Sequence, residues 1–171
     1  MFLGLVTSAN AQTAKDPENA ILLKLKSGDV IIEMYPEVAP NHVKRIKELT
    51  RKGFYNGLKF HRVIDGFMAQ TGDPKGNGTG GSGQNIKAEF NKKPHVRGTV
   101  SMARAQDPNS ADSQFFICFE ASTYLDGQYT VWGKVISGME NVDKIKKGTG
   151  PNGTVYDPDT IISMQVLSDV K

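Results

Sequence analysis

Residues 60–70 read Phe60-His61-Arg62-Val63-Ile64-Asp65-Gly66-Phe67-Met68-Ala69-Gln70, two short runs rich in apolar residues around an Asp-Gly pair. Asp-Gly pairs are typical of tight turns, so the stretch predicts two strands with a turn between them. Side chains alternate between the two faces of a strand. In the first strand, the pattern therefore places Phe60, Arg62 and Ile64 on one face, and His61 and Val63 on the other.

The same stretch brings a permanent positive charge next to large apolar side chains. Phe67, Met68 and Gln70 follow the turn and lie close to Arg62 in the chain. The residues alone leave two interpretations open. Arg62 is either a surface residue whose stem covers apolar surface while its head reaches water, or a functional cation in an apolar groove.

Strand-like runs also occur on both sides of this stretch. Upstream, residues 21–25 and 30–34 flank a glycine-containing turn, which predicts a hairpin. Downstream, comparable runs occupy residues 98–102, 114–119, 129–136 and 161–167. About eight strands without regular strand–helix alternation predict an antiparallel β fold. Closure into a barrel would leave no strand edge exposed.

A first helix is predicted to begin at Pro40 and to end at Gly53, with Val43, Ile46 and Leu49 recurring at helical spacing.

A second helix is predicted after Ser137, because Glu140 follows three residues later with the spacing of a capping box. It would carry Val142 and Ile145 inward and end at Gly148.

Composition narrows the classes of function. The 171 residues suit one soluble domain, and the net charge of +3 comes from scattered basic residues. Nucleic-acid binding usually requires a concentrated basic face, so it is not expected. No stretch approaches the roughly 18 apolar residues of a membrane span. The one cysteine, Cys118, lies in an apolar run and is predicted to be a buried core residue.

Two further features of the sequence resemble cofactor or metal sites. Residues 76–81 match the glycine pattern of dinucleotide-binding loops, but no helical periodicity follows them, so a surface loop is the better interpretation. The three histidines, His42, His61 and His95, lack the spacing of metal ligands. His42 is expected on the solvated face of the first helix. We therefore expect neither a metal nor a cofactor.

The N-terminal residues resemble the back half of an export signal. Residues 1–6 are apolar, and Ala9-Asn10-Ala11 has the small-x-small form of a cleavage site. We expect residues 1–19 to be the remnant of such a signal, or else a disordered tail, ahead of a domain at 20–171. A signal predicts a periplasmic protein, and an incidental tail a cytoplasmic one.

Three segments taken in order, residues 60–70, 113–117 and 124–129, closely resemble the cyclophilins. Residues 54–57, 71–73, 77–81, 98–103 and 133–135 match in register, so the resemblance covers about residues 20–169. It implies a mainly β fold, a closed eight-stranded antiparallel barrel capped by two α-helices. It also implies peptidyl-prolyl cis–trans isomerase activity that assists protein folding. The alternatives are a module that binds proline segments with incidental turnover, and a lipocalin-type barrel with an open interior.

The resemblance also assigns site residues by position. It implies catalytic roles for Arg62, Gln70 and His61. It also implies that substrate is bound by the proline pocket, by polar residues beside that pocket and by a strand that pairs with the peptide. These substrate-binding residues are Phe67, Met68, Ala103, Arg104, Ala105, Gln114, Phe116, Tyr124, Leu125 and Tyr129. The implied partners are proline-containing unfolded or loop segments of client proteins, bound by a monomer.

This sequence departs from many relatives at three of these positions. Tyr124 stands where tryptophan is common, Tyr129 where histidine is common, and Arg104 where asparagine is common. The departures imply weakened affinity for cyclosporin and resemble bacterial members of the family. The segment 104–112 is also one residue longer than usual.

Overall fold

The computed structural model describes residues 14–171, and its main feature is one eight-stranded antiparallel sheet. The strands are β1 Ala20–Leu25, β2 Gly28–Met34, β3 Arg62–Ile64, β4 Met68–Thr71, β5 Thr99–Met102, β6 Phe115–Cys118, β7 Val131–Ser137 and β8 Ser163–Val166. They lie in the order β3-β4-β6-β5-β7-β2-β1-β8. The eight predicted strand runs and their antiparallel pairing are confirmed.

The sheet curls into a barrel, but its two edge strands do not pair with each other. Closure comes instead from the segments that precede β3 and β8, through an isolated bridge between Lys59 and Thr160. The Phe60 N–H donates to the Asp159 carbonyl at 2.9 Å. The expectation of a closed barrel was therefore overstated: this end of the sheet is joined by loop contacts rather than by a continuous ladder.

The longer helix, α1 Pro40–Arg51, packs Val43, Ile46 and Leu49 into the core, as predicted. The shorter helix, α2 Met139–Val142, is one turn long. Its N-cap is Gly138 rather than Ser137, and no side-chain capping bond forms, so the predicted capping box was wrong. Gly138 has a φ of +86°, and a Cβ there would overlap the Asp29 carbonyl, so only glycine fits.

The expectation of a solvated His42 was wrong, because its side chain is completely buried. Its Nδ1 atom lies 2.6 Å from the Glu89 carboxylate. The same carboxylate accepts hydrogen bonds from the backbone N–H groups of Asn41, at 3.2 Å, and His42, at 2.8 Å. Glu89 thus caps the start of α1, where Ala39 offers no capping side chain.

The barrel interior is filled with side chains. Trp132, Tyr55, Phe60 and Phe115 are the largest of those that are fully buried. In the described part of the chain, these side chains occupy the interior that the lipocalin alternative required to be open. Phe60 was expected on the same face as Arg62, but it packs into this core with Val63, because β3 begins only at Arg62 and strand alternation does not extend back to Phe60.

Alternation along β6 separates two apolar clusters. Phe115 and Ile117 face the barrel interior, whereas Phe116 and Cys118 face outward with Met68 of β4. This outer cluster is the base of the site described below. Cys118 is buried, as predicted, and burial raises the pKa of its thiol to about 12.

The folded unit includes residues 14–19, which the sequence analysis placed before the domain. Ala14 is buried against β1 and β2, and Glu18 accepts hydrogen bonds from Arg51 and Ser168. The rest of the expected export signal, residues 1–13, lies outside the described residues. Within the described part of the chain, no helix is both long and apolar enough to cross a membrane.

Candidate active site

A cleft of about 500 Å³ opens on the outer face of β3, β4 and β6. We call it the arginine cleft. It is lined by His61, Arg62, Phe67, Met68, Gln70, Gly76, Asn77, Gly78, Ala103, Arg104, Phe116, Leu125, Tyr129, Asn152, Thr154 and Val155. Its size is within the range of small-ligand sites. The fold therefore brings most of the predicted site residues into one concavity.

Arg62 is the first residue of β3, and two hydrogen bonds fix its guanidinium. Nε donates to the Asn152 carbonyl at 2.9 Å, and Nη1 donates to Oε1 of Gln70 at 3.2 Å. Gly153 has a φ of +73°, and a Cβ there would overlap the Ile64 side chain, so a glycine lets the Asn152 loop approach β3. Two of the five guanidinium N–H donors are used in this way, and the others can meet a ligand.

The hydrogen bonding continues from Gln70 across the polar side of the cleft. Nε2 of Gln70 donates to Oε1 of Gln114 at 2.9 Å. Nε2 of Gln114 donates to the carbonyls of Gly78, at 3.1 Å, and Gly80, at 2.9 Å. This chain of amides links Arg62 to the glycine loop and holds Gln70 in one orientation.

The glycine loop is organised from within by Asp73. Its carboxylate accepts hydrogen bonds from the backbone N–H groups of Lys75, at 2.8 Å, and Asn77, at 3.0 Å. These bonds lower the pKa of Asp73 although burial opposes the shift. In a dinucleotide site, such loop amides would have to face a pyrophosphate. Here the Asp73 carboxylate already binds them, in agreement with the surface-loop interpretation.

The apolar side of the arginine cleft has Met68 and Phe116 as its floor, both almost fully buried. Phe67, Leu125 and Tyr129 pack around them. The Phe116 and Tyr129 rings meet edge to face, with centroids 5.9 Å apart and an interplanar angle of 85°. Aromatic pairs favour this geometry. The result is an apolar slot directly beside the Arg62 guanidinium.

A buried histidine supports this floor from behind. The His95 ring stacks on Phe116 with centroids 6.0 Å apart. Its Nδ1 lies 3.0 Å from Asp126 Oδ1, and its Nε2 lies 2.8 Å from Ser101 Oγ. Burial lowers the pKa of His95, while Asp126 acts in the opposite direction. The His95 ring thus connects Ser101 on β5 to Asp126 in the turn that follows Leu125.

His61 lies at the edge of the cleft with a side chain that is almost fully buried. Neither ring nitrogen has a hydrogen-bond partner among the described residues. Burial lowers the pKa of His61, and the nearby positive charge of Arg62 adds to this while Asp73 opposes it. The ring is therefore neutral at pH 7.

Arg104 crosses the rim of the cleft. Its Nε and Nη2 atoms donate to the Gln128 carbonyl at 3.1 and 2.8 Å, and Nη1 donates to the carbonyls of Ala105, at 2.9 Å, and Gln106, at 3.1 Å. The guanidinium carbon lies 4.6 Å from the centroid of the Tyr129 ring. Both contacts hold the side chain in place.

Three predicted site residues lie outside the arginine cleft. Gln114 and Ala105 line a neighbouring cleft of about 560 Å³, the glycine-loop cleft, which shares Gln70, Gly78, Ala103 and Arg104 with the first. Tyr124 is 70% exposed and packs against Phe67 at the mouth, with ring centroids 6.1 Å apart.

Sequence reasoning missed several residues that build the site. Asn152, Thr154 and Val155 line the cleft from a loop that begins 90 positions after Arg62. The closely spaced glycines of residues 148–153 are the signal that could have indicated a tight backbone approach there. The spacing of His95 in the sequence gives no sign of its role behind Phe116, which depends on Ser101 and Asp126.

Comparison with known proteins places this geometry in a family. The model of the cyclophilin type peptidyl-prolyl cis-trans isomerases matches residues 20–166. A probable peptidyl-prolyl cis-trans isomerase of Brucella suis is 56% identical over 184 aligned positions, covering 100% of this chain and 92% of that protein. A peptidyl-prolyl cis-trans isomerase of Helicobacter pylori is 47% identical over 130 positions, covering 74% of this chain and 79% of the relative.

Solved structures give the same result for the fold. Cyclophilin AquaCyp293 from Hirschia baltica superposes with a TM-score of 0.81 at 30% identity, over 91% of this chain and 76% of that one. A Cryptosporidium parvum cyclophilin type isomerase, crystallised in the presence of the dipeptide Ala-Pro, gives a TM-score of 0.79 at 29% identity, over 86% and 98% of the two chains. By sequence and fold, the chain belongs to the cyclophilin-type peptidyl-prolyl cis–trans isomerases.

Proposed function

We propose that Arg62 is the catalytic group of this isomerase, and that the apolar side of the arginine cleft holds the proline ring while the preceding peptide bond rotates. The observation that carries the proposal is the position of the guanidinium. It is anchored by Asn152 and Gln70, and it lines the same cleft as Met68 and Phe116.

The chemistry explains why a fixed cation suits the reaction. Rotation about the C–N bond is opposed by a barrier of about 18–20 kcal/mol, because the nitrogen lone pair is delocalised into the carbonyl. In the half-rotated state that lone pair is regained and can accept a hydrogen bond. A donor that bonds the twisted amide better than either planar isomer lowers the barrier. No covalent bond breaks, so the step needs no nucleophile.

Arginine meets this need because it stays protonated and holds its donors in a rigid fork. The buried faces of Met68 and Phe116 exclude water from one side of the cleft, which strengthens the interaction of the charge with the substrate. We propose that Gln70 acts as a positioning residue, because its Oε1 already accepts from Arg62 and one of its N–H groups is bonded to Gln114.

His61 has a different proposed role. Its pKa is lowered, so it is neutral at pH 7 and offers a buried polar edge rather than a charge. We propose that it shapes the cleft beside Arg62 without transferring protons.

The proposed substrates are proline-containing unfolded or loop segments of client proteins. The substrate backbone would pair with residues 103–105. The Ala103 N–H donates to the Gln114 carbonyl, and the Ala105 N–H donates to Ser110 Oγ. No hydrogen bond among the described residues uses the Arg104 N–H, so this donor is available to a peptide. Weakened cyclosporin affinity and a monomeric state remain predictions.

An exchange measurement separates catalysis from simple binding of proline segments. The protein is added at about one hundredth of the concentration of an Ala-Pro-containing peptide, and the cis–trans exchange rate is measured by NMR. A catalyst accelerates exchange of the whole pool at this ratio. A module that only binds proline segments leaves the pool rate unchanged and suppresses client aggregation only at equal concentrations.

We also propose that the protein is exported to the periplasm. Support comes from the apolar residues 1–6 and from Ala9-Asn10-Ala11 ahead of Gln12. Mass spectrometry of the protein purified from its native cells tests this. A mature N-terminus near residue 12 is expected, and an uncleaved chain in the cytoplasm would contradict the proposal.

A further inference from the structure

Two permanent cations, Arg62 and Arg104, line the arginine cleft, and none of its described lining residues is an aspartate or glutamate. Arg104 also lines the glycine-loop cleft, together with one lysine, Lys75, and one carboxylate, Asp112. We propose that the site selects substrates with an acidic side chain within two residues of the proline, and that Arg104 sets this preference. The inference rests on the isomerase function proposed for the same cleft.

The geometry keeps the charge of Arg104 both fixed and uncancelled. Its four hydrogen bonds all go to neutral carbonyl oxygens, those of Ala105, Gln106 and Gln128. The Tyr129 ring lies against its guanidinium. Carbonyls and a ring face orient a cation without neutralising it, so the net positive charge remains directed at the cleft.

Carboxylates close to the two clefts are already engaged. Asp112 is bonded to Arg45 and to the Gly83 N–H. Asp73 accepts the glycine-loop amides. Asp126 pairs with His95. None of these three carboxylates bonds to Arg104, whose donors all go to backbone carbonyls. The guanidinium charge is therefore available to an anion that a substrate brings.

The expected size of the preference for acidic substrates follows from the partial solvent exposure of Arg104. Arg104 is half-buried, and ion pairs at partly solvated sites contribute modestly, so we expect a roughly two- to fivefold effect on kcat/KM. Mobile ions screen such pairs. The effect should therefore shrink when the salt concentration rises from about 0.02 M to about 0.5 M.

The test uses the full chain and proline peptides that carry Glu, Gln or Lys at one of three positions: two before the proline, directly before it, or directly after it. The ratio of kcat/KM for the Glu peptide to that for the matched Lys peptide is the readout, because it does not depend on overall activity. We expect this ratio to exceed one at one or more positions in the wild-type protein. It should fall towards one in Arg104→Gln and persist in Arg104→Lys.

Lys52→Gln is the matched control, since it removes the same charge from an exposed position at the end of α1 that lines neither cleft. It should leave the ratio unchanged. Equal rates for Glu and Lys peptides at all three positions, or a ratio that survives in Arg104→Gln or at high salt, would overturn the inference while leaving the isomerase intact. If the wild-type protein accelerated no peptide at all, the proposed function itself would fail, and this inference with it.

Discussion

Nη1 of Arg62 donates a 3.2 Å hydrogen bond to Oε1 of Gln70, and the two residues lie directly opposite each other on β3 and β4. The antiparallel register brings them together across the Asp-Gly turn. A neutral amide thereby fixes the direction of a charge on the neighbouring strand.

Replacing Gln70 by leucine removes the acceptor for Arg62 while keeping a side chain of similar size. We expect kcat to fall roughly two- to tenfold, because one hydrogen bond is worth about 0.5–1.5 kcal/mol, with a smaller change in KM. A double-mutant cycle distinguishes positioning from general damage. In an Arg62→Ala background, Gln70→Leu should have almost no further effect. Full additivity would contradict the positioning role, and Gln165→Leu, at an exposed position of β8, is the control.

The pH profile of the reaction should be nearly flat from about pH 6 to about pH 8. Arginine does not titrate in this range, and burial lowers the pKa of His61, which favours its neutral form. The measurement is kcat/KM for one uncharged proline peptide across this interval. A steep bell-shaped profile would instead indicate that a histidine transfers protons.

Stability, in contrast with activity, should depend on pH. Burial lowers the pKa values of His42, His61 and His95 below the ordinary value of about 6.5. Below that pH the unfolded chain binds protons that the folded chain does not. The free energy of unfolding that these histidines contribute is therefore fully present above about pH 6.5. It is lost as the pH falls towards their pKa values in the folded protein. Urea denaturation at about pH 7.5 and about pH 5.5 should show a lower free energy of unfolding at acidic pH. A higher value at acidic pH would contradict this assignment.

Glu89 should stabilise the protein although it lies far from α1 in sequence. Its carboxylate accepts from two N–H groups at the start of the helix and contacts buried His42 Nδ1. Glu89→Ala should lower the free energy of unfolding by about 1–3 kcal/mol, from a lost cap and an unpartnered buried group. Glu48→Ala, at an exposed position of the same helix, should change it by less than about 0.5 kcal/mol. Equal effects of the two variants would rule out the capping role.

Whether a contact in this protein could be predicted from the sequence depends on how close the two contacting residues are along the chain. Arg62 and Gln70 are eight residues apart, so strand alternation and one turn were enough to bring them together. The pattern of residues 114–119 indicated a strand, and alternation then places Phe115 inside and Phe116 outside.

Contacts between residues far apart in the sequence could not be predicted in the same way. His42 is a polar residue, so it was expected on the solvated face of α1. Its burial is favourable because the Glu89 carboxylate, 47 residues later in the chain, lies against its ring in the folded protein. The anchor of Arg62 is a backbone carbonyl, that of Asn152, which no side-chain pattern reveals. The start of α2 depends on how closely Gly138 approaches Asp29, a contact that also arises only in the folded chain.

The central claim is that Arg62 binds the twisted amide more strongly than the planar one. The most direct test compares, for wild type and Arg62→Ala, the Kd of an Ala-Pro peptide by NMR titration and its bound-state exchange rate. We predict that the exchange rate falls at least about tenfold, or about 1.4 kcal/mol in barrier height, while Kd changes by less than about threefold. An exchange rate that is maintained, or that falls only in proportion to a loss of affinity, would contradict the claim.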